Sequence, residues 1–433
     1  MYNKDILIRS PGKYNIFLIF HLQRADGPQK PSPARRTEGG GAMAERNAAG
    51  IICELDPLHS GHARIIAEAA EACPGGVVCA MSGDFVQRGE PAVFPKHVRA
   101  EAAVRAGASL VIELPLTVSL CSAEGFAAGG VRLLDSLGVC SHLVFGSECG
   151  DLSRLRAAAE CLLSGETERG LLAHLRDGVS YAAARERAAA ERMGPEAARL
   201  LRSPNDILAV EYLKAIEKSG AELTPLAVER RGGDHGGGDG LSSTALRRLL
   251  REGKRIRDCM PGACADVLEK AEAGGLGPVF ADETAILARL RMPGALDDLP
   301  FDAEGLSNRI RRAVAEPDLE AVVTAVKTKR YARSRIRRML LCAALGIRSA
   351  DMEMPVSYVR VLAADERGRA LLRRMGDTCP LPVITKPASA RRLEGDGARL
   401  FTLTASAADL YALFMTGERR RGGGEWRRSP VML

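Results

Sequence analysis

The chain has 433 residues, 46% hydrophobic but only 4% aromatic, and its 61 Lys and Arg against 54 Asp and Glu give a formal net charge of +7 at pH 7. This length predicts two or three domains, and so small a basic excess does not by itself indicate a nucleic-acid partner. Eleven scattered cysteines without a C-x-x-C motif argue against a disulfide framework or a metal ribbon, and favour reduced thiols in a cytoplasmic protein.

Two further segments bear on targeting. The most apolar stretch, residues 111–130, is interrupted by Glu113, Pro115 and Glu124, whereas a membrane span needs about 20 mainly apolar residues. Residues 1–45 are predicted to be a disordered N-terminal extension, because their Pro/Gly/Arg-rich composition cannot build a core. Met43 stands just before the first predicted strand and is a candidate start of translation.

The first motif lies in the segment from residue 49 to residue 66. A short apolar run predicts a buried strand, the pair Asp56-Pro57 breaks it, and His59, Gly61 and His62 then precede an Ala/Ile/Glu-rich stretch with helical spacing. The unpaired N–H groups of a helix N-terminus suit a phosphate, and two imidazoles can donate to phosphate oxygens. A simpler interpretation is that one histidine caps the helix and the other lies on the surface.

Apolar runs alternate with helical segments along the first half of the chain. Strands are predicted at residues 76–81, 109–114, 142–145 and 225–229, and glycines or polar residues follow each run. This alternation predicts a Rossmann-like parallel sheet of the α/β class, with the polar loops gathered at one edge. In these loops Lys96 and Arg99 have a simpler interpretation as a solvated helix face.

A second candidate phosphate site follows the glycine-rich loop at residues 232–240. Ser243 and Thr244 open a predicted helix and Arg247 lies one turn further on. Hydroxyl groups at a helix start are usual capping groups, but together with the arginine they also form a phosphate cradle. One triphosphate held between two helix N-termini is therefore predicted. Upstream, Asn205 is either a helix-capping residue or a group that faces a ribose.

The remaining chain is predicted to be a mainly helical region at residues 256–417, after a catalytic domain at 46–255. Its residues 327–338 carry seven cations and no acid, and such a run repels itself unless a polyanion neutralises it. This basic segment therefore predicts contact with RNA. Strands at 356–362 and 383–385 suggest a small C-terminal unit, and residues 418–433 are predicted to be a basic, disordered tail.

Taken together, these motifs make the chain resemble the tRNA(Met) cytidine acetate ligase family, a branch of the H-x-G-H nucleotidyltransferases, from about residue 50 to about residue 413. The resemblance rests on the histidine motif and on three further phrases: residues 82–92, SGDFVQRGEPA; residues 111–115, VIELP; and residues 327–331, KTKRY. It implies that ATP and acetate form acetyl-adenylate and pyrophosphate. The wobble cytidine of elongator tRNA(Met) would then be acetylated to N4-acetylcytidine, with Mg²⁺ as the counter-ion of ATP.

The resemblance also implies site residues. His59 and His62 are the expected catalytic groups. The expected ATP site comprises Ile52, Glu54, His59, Gly61, His62, Gly146, Asn205, Arg230, Arg231, Ser243, Thr244 and Arg247, with the spacing leaving Arg230 and Arg231 as alternatives. The expected tRNA contacts are Lys327, Lys329, Arg330, Arg333 and Arg337, and no protein-bound metal is expected.

The chain departs from the family pattern at several positions. Asp56 and Asp84 stand where asparagine is usual, and each adds negative charge near the triphosphate unless a metal or Arg88 compensates for it. Two other functions therefore remain open: a nucleotidyltransferase that adenylylates a small phosphorylated metabolite, and a catalytically inactive RNA-binding homologue. The oligomeric state and the base that would deprotonate cytidine are not indicated.

Overall fold

The computed structural model describes residues 46–230, 241–302 and 305–433, without the side chains of residues 417 and 418. Its strands are β1 (Ala48–Cys53), β2 (Val77–Ser82), β3 (Phe85–Val86), β4 (Glu90–Pro91), β5 (Leu110–Leu114), β6 (Cys140–Ser147), β7 (Thr224–Glu229), β8 (Val359–Ala364), β9 (Val383–Ile384) and β10 (Val431–Met432). The predicted extension at residues 1–45 and the candidate Arg231 lie outside the described residues.

The helices alternate with the strands in the first half and dominate the second. They are α1 (Ser60–Ala72), α2 (Lys96–Arg105), α3 (Leu116–Ser119), α4 (Ala123–Ser136), α5 (Leu152–Leu163), α6 (Gly165–Arg176), α7 (Tyr181–Met193), α8 (Pro195–Ala198), α9 (Pro204–Ser219), α10 (Ser243–Arg251), α11 (Gly262–Ala273), α12 (Glu283–Leu290), α13 (Leu306–Ala313), α14 (Leu319–Val326), α15 (Arg333–Leu345), α16 (Glu366–Thr378) and α17 (Gly395–Leu413). None of the described helices is both long enough and apolar enough to cross a bilayer.

The central sheet has the order β10-β8-β5-β2-β1-β6-β7, with β9 paired to β8. The strands β5, β2, β1, β6 and β7 are parallel. Taken in chain order they are the third, second, first, fourth and fifth parallel strands, which is the doubly wound arrangement of a Rossmann-like half. The predicted α/β class and its parallel sheet are confirmed. In such sheets a ligand binds beyond the carboxyl ends of the strands where the order reverses, here beside β1 and β6.

Helices cover both faces of this sheet, which explains the continuous apolar strands. One core joins the sheet to α4, α5 and α9, and the other joins it to α1, α2, α10 and α11. Strands buried on two faces read as short apolar runs without alternation, because both sets of side chains leave water. A third core lies among α12–α15 and α17 and includes Phe85, Leu116 and Leu120 from the first half of the chain.

The structure corrects the prediction of a small C-terminal unit, because the strands assigned to that unit belong to the central sheet. β8 pairs antiparallel with β5, and β9 and β10 pair parallel with β8. All six residues of β8 are buried. An exposed edge of β5 would leave a row of unpaired backbone groups, and β8 satisfies them. The boundary predicted at residue 255 therefore does not divide the sheet, which both regions build.

The tail is also ordered where disorder was predicted. β10 extends the sheet, and Glu425 is only 2% exposed. One Glu425 carboxylate oxygen lies 2.7 Å from Lys96 Nζ, and the other accepts from Arg360 Nε at 3.1 Å. The tail is basic in composition, but its buried acid Glu425 makes ion pairs with two buried cations, and these pairs hold the tail against the fold.

Candidate active site

The two histidines of the H-x-G-H motif lie at the N-terminus of α1. His59 is the N-cap residue, and its Nδ1 accepts from the Gly61 N–H at 3.1 Å. His62 Nδ1 accepts from the His59 N–H at 3.3 Å, and the two ring centroids are 3.9 Å apart. The imidazoles therefore form a capping box. The structure thus agrees with a capping role for one histidine, but the second histidine caps as well and is not exposed on the surface.

Capping leaves the second nitrogen of each ring available. Burial, and then the charge of Arg230, lower the pKa of His59 to about 4. Burial, His59 and Arg230 hold the pKa of His62 well below its usual value. A neutral imidazole whose Nδ1 accepts a hydrogen bond carries its proton on Nε2. Both rings can therefore cap α1 through Nδ1 and donate Nε2–H to a phosphate oxygen.

Gly61 is required by this arrangement. A Cβ atom at residue 61 would lie 2.9 Å from His59 Cε1. Its small size thus admits the folded-back imidazole, and it keeps the helix N-terminus open to a ligand.

The second predicted cradle, at the N-terminus of α10, lies against the same loop. Ser243 Oγ donates to the Pro57 carbonyl oxygen at 3.2 Å, and Arg247 Nη1 donates to the Asp56 carbonyl oxygen at 2.6 Å. Thr244 Oγ1 accepts from Arg247 Nη2 at 3.1 Å. The structure therefore brings together two helix N-termini, as the sequence predicted, although the helices are far apart in the chain.

Arg88 joins this cradle from a third element. It lies in the site hairpin, defined here as residues 85–91 with β3 and β4, and its Nη1 donates to Thr244 Oγ1 at 3.1 Å. Within the same hairpin, the Gln87 N–H donates to Glu54 Oε1 at 2.7 Å. Burial raises the pKa of Glu54. Sequence reasoning placed Arg88 only as a compensating charge, whereas here it and Arg247 converge on one hydroxyl oxygen.

The two unusual aspartates have structural partners. Asp56 Oδ1 accepts from the Val93 N–H at 2.7 Å, and its Oδ2 lies 3.4 Å from Arg247 Nη1. Asp84 Oδ1 accepts from the Lys96 N–H at 2.9 Å, at the start of α2, and its Oδ2 lies 3.9 Å from Lys96 Nζ. Both carboxylates are buried and hydrogen-bonded, so their charge is compensated within the protein.

Arg99 is a site-forming residue that sequence reasoning missed. Instead of lying on a solvated face it is 1% exposed. It donates to the carbonyl oxygens of Phe94, Glu54 and Gly83, and so fixes the ends of β1 and β2 to α2. Lys96 is buried too, where the neighbouring carboxylates, foremost Glu113, raise its pKa against the effect of burial. Every partner of Arg99 here is a backbone carbonyl, which leaves no local signal in the sequence.

The opposite wall comes from β6, β7 and α9. Arg230 follows β7, donates its backbone N–H to the Ser147 carbonyl oxygen at 2.8 Å, and its Cγ would lie 3.3 Å from a Cβ at Gly146. Asn205 Nδ2 donates to Glu148 Oε1 at 2.6 Å. The Asn205 and Asp206 N–H groups also donate to Glu148, so this acid caps α9. Asn205 is thus held at the start of α9 by Glu148, which is distant from it in the sequence.

Ile52 differs from the other candidates because its side chain is 8% exposed and packs in the core on the α4 side of the sheet. A Cβ at Gly130 would lie 2.6 Å from Ile52 Cδ1. Only its backbone is therefore placed to meet a ligand.

The basic segment is not one helix. α14 ends at Val326 and α15 begins at Arg333, so residues 327–332 form a connection. Arg333 and Arg337 both make ion pairs with Glu320. Glu320 of α14 therefore neutralises part of the charge of the basic segment. Counting charges along the chain could not show this, because Glu320 lies outside the segment. Lys327 and Lys329 lie exposed in the connection.

The donor set does not suit a resident metal. In the described part of the chain no group of three or more His, Cys, Asp or Glu side chains could hold an ion. The Asp56 carboxylate, beside the loop, is already bonded to Val93 and Arg247. A magnesium ion at this site would depend on nucleotide oxygens and water for its ligands, as Mg²⁺ commonly does.

The chain is similar over most of its length to proteins of known family. The sequence model of the HIGH Nucleotidyl Transferase family matches residues 46–425. A tRNA(Met) cytidine acetate ligase of Caldanaerobacter subterraneus subsp. tengcongensis is 37% identical over 382 residues, covering 84% of this chain and 95% of the relative. A tRNA(Met) cytidine acetate ligase of Acetivibrio thermocellus is 31% identical over 419 residues, covering 89% and 99%.

A solved structure supports the same assignment. Thermotoga maritima TmcAL bound with alpha-thio ATP superposes with a TM-score of 0.83 at 31% identity, covering 89% of this chain and 99% of the other. The resemblance inferred from the motifs is therefore confirmed. The chain belongs to the tRNA(Met) cytidine acetate ligase family of HIGH nucleotidyl transferases.

Proposed function

We propose that the protein is an ATP-dependent ligase that activates acetate as acetyl-adenylate and transfers the acetyl group to the wobble cytidine of elongator tRNA(Met). The observation that carries the proposal is the convergence of two helix N-termini, two capping histidines and three arginines (Arg88, Arg230 and Arg247) beside β1. Such a site places fixed N–H dipoles and positive charge around a triphosphate.

The first step is adenylation. An acetate oxygen attacks the α-phosphorus of ATP, the bond to the bridging oxygen breaks, and pyrophosphate leaves. Negative charge grows on the departing pyrophosphate and on the α-phosphate oxygens. In this proposal the Nε2–H groups of His59 and His62, with the arginines of the cradle, donate to these oxygens.

The second step is acyl transfer. The N4 amine of cytidine attacks the acetyl carbonyl carbon, AMP leaves with the bonding electron pair, and the amine loses a proton, giving N4-acetylcytidine. AMP is a good leaving group, and this is why acetate must first be adenylated. When bound together with ATP, Mg²⁺ would neutralise part of the negative charge of the phosphates.

The RNA is proposed to contact the connection between α14 and α15. Lys327 and Lys329 carry exposed ammonium groups there, next to Arg330. Phosphate contacts supply most of the sequence-independent affinity for RNA. Arg333 is retained as a contact at the start of α15, where its ion pair with Glu320 is accessible to solvent. With the tRNA substrate we also propose a cytoplasmic location.

The experiment is acetate-dependent exchange of pyrophosphate into ATP, with and without tRNA(Met), followed by nucleoside analysis of the tRNA. We expect exchange that requires acetate but not tRNA, and N4-acetylcytidine when tRNA is present. Exchange that requires a small phosphorylated metabolite in place of acetate would instead indicate a metabolite adenylyltransferase. Bound tRNA with neither signal would indicate an inactive RNA-binding homologue.

A further inference from the structure

The site hairpin touches α15 as well as the active site. Arg337 Nη1 makes an ion pair with Glu90. Arg338 Nη1 donates to the Gln87 carbonyl oxygen at 3.2 Å. Gln87 therefore links two parts of the protein. Its N–H donates to Glu54 at the active site, and its carbonyl oxygen accepts from Arg338 of α15.

The backbones of the hairpin and α15 are also in direct contact. Gly89 has a φ of +77°, and a Cβ atom there would lie 2.6 Å from Arg338 N and 2.7 Å from Arg337 C. Only glycine adopts this conformation at so close an approach without strain. The contact lies one residue from Arg88, which reaches the Thr244 hydroxyl.

Apolar packing between the two elements is incomplete. A pocket of about 180 Å³ lies beside this contact, with Glu90, Val93, Arg251 and Leu340 among its lining residues. Phe85 anchors the start of the hairpin in the third core, where its ring packs against Tyr411. Residues 87–90 meet α15 beside the pocket instead, where apolar contacts are fewer. The position of this part of the hairpin therefore depends on the two arginines.

Both arginines are poorly placed to bind an RNA backbone. Arg337 also donates from Nη2 to Glu320 at 2.9 Å, and burial lowers its pKa. The Arg338 guanidinium carbon lies 6.0 Å from the Phe301 ring centroid, and burial lowers its pKa too. An RNA phosphate would have to displace carboxylates or an aromatic ring to reach them.

We propose that Arg337 and Arg338 are positioning residues for adenylation, which hold the site hairpin from α15 so that its contacts at the phosphate site persist. Arg337 thereby leaves the set of expected tRNA contacts. This inference rests on the proposed function, because it assigns the two arginines to the half-reaction that involves no RNA.

The test compares Glu90→Gln and Arg338→Ala with the double variant Lys327→Ala/Lys329→Ala. Acetate-dependent exchange without tRNA should fall on the order of 10- to 100-fold in the first two, because small displacements of catalytic groups are costly. Their tRNA affinity and its salt dependence should not change. Arg338→Lys, which retains one donor, should restore part of the exchange. The double variant Lys327→Ala/Lys329→Ala should do the opposite, losing tRNA affinity and keeping pyrophosphate exchange.

The alternative role of Arg337, direct binding of RNA, makes a different prediction for Glu90→Gln. If Arg337 were an RNA ligand, freeing it from Glu90 would strengthen tRNA binding and leave exchange unchanged. That result would overturn the proposal, as would normal exchange in Arg338→Ala.

Hydrogen exchange separates this inference from the proposed function. The Gln87 amide should lose protection from hydrogen exchange in both Glu90→Gln and Arg338→Ala, while thermal unfolding still shows that each variant is folded. If the wild type gives no acetate-dependent exchange, the proposed function fails, but loss of protection at Gln87 with weaker binding of alpha-thio ATP still supports positioning. Unchanged protection at Gln87 would refute it.

Discussion

At the scale of single residues, the histidine motif combines two roles that sequence reasoning set against each other. His59 and His62 cap α1 through Nδ1, and burial keeps both rings neutral at pH 7. Because the proton must then lie on Nε2, the cap orients the donors instead of competing with phosphate binding. A protonated imidazole at this position would lose its acceptor and, with it, the cap.

The first prediction is that His62→Ala reduces acetate-dependent exchange by roughly 10²- to 10³-fold, the usual cost of one donor to a developing oxyanion. The ring of His62 contacts His59 and not the exposed lysines of the basic segment, so tRNA binding should be retained. Exchange and filter-binding measurements on the same preparation test this, with His142→Ala as a matched control. Loss of tRNA binding in His62→Ala would contradict the separation of the two sites.

The second prediction concerns pH. His59 is 4% exposed, and its pKa is about 4 in the folded protein, against 6.5 in the unfolded chain. Between these values the unfolded chain binds the extra proton, so the stability from the neutral ring is complete above pH 6.5 and lost as the pH falls to 4. Over this pH range the titration of His59 lowers the free energy of unfolding by roughly 3 kcal/mol.

His59→Asn retains a capping acceptor but does not titrate. The wild type should therefore lose up to about 3 kcal/mol more unfolding free energy than this variant between pH 7 and pH 4, measured in urea at each pH. Parallel pH curves for the two proteins would show that the His59 ring does not titrate in this way.

At the scale of elements, the loops that follow the parallel strands meet at one edge, as their order along the chain predicts. The basic segment behaves differently, because it is divided between a connection and α15 and its cations have separate fates. Lys327 and Lys329 remain exposed, while Arg337 binds acids of two other elements. A dense charge run therefore need not act as a unit.

The third prediction is that Lys327→Ala/Lys329→Ala weakens tRNA binding and lowers the slope of log affinity against log salt by roughly one to two, since each phosphate contact contributes about 0.7 to 1. Titrations at several salt concentrations measure it. Lys254→Ala/Lys270→Ala changes the net charge equally outside the segment. Equal slopes for the two double variants would place the RNA elsewhere.

At the scale of the whole molecule, the C-terminal part of the chain completes the sheet of the N-terminal part. Glu425 reaches Lys96 on α2 at 2.7 Å, and Lys96 also lies 2.7 Å from Glu113. Burial raises the pKa of Glu113 to about 7, while Lys96 and Arg360 hold that of Glu425 below its usual value in spite of burial. Glu425 of the tail thus pairs with Lys96, whose ammonium group also lies 3.9 Å from Asp84 Oδ2.

The fourth prediction is that Glu425→Gln destabilises the protein by roughly 3 kcal/mol or more, since removing one partner of a buried pair leaves uncompensated charge. Thermal and urea unfolding measure this. Glu217→Gln, at an exposed position on α9, should change stability by less than about 0.5 kcal/mol. An equal effect of the two substitutions would mean that the tail is not held by this ion pair.

The amino-acid sequence alone determined the α/β class, the positions of the first strands along the chain, the two helix starts and the family. These features are encoded within short windows, because strand burial, capping chemistry and motif spacing depend on neighbouring residues. The tertiary structure alone decided that β8 pairs with β5, that Arg99 clamps backbone carbonyls, that the tail is ordered, and that Arg337 faces Glu90. Each of these depends on a partner distant in the chain, and a residue's type states its charge and size but not which distant group will meet it.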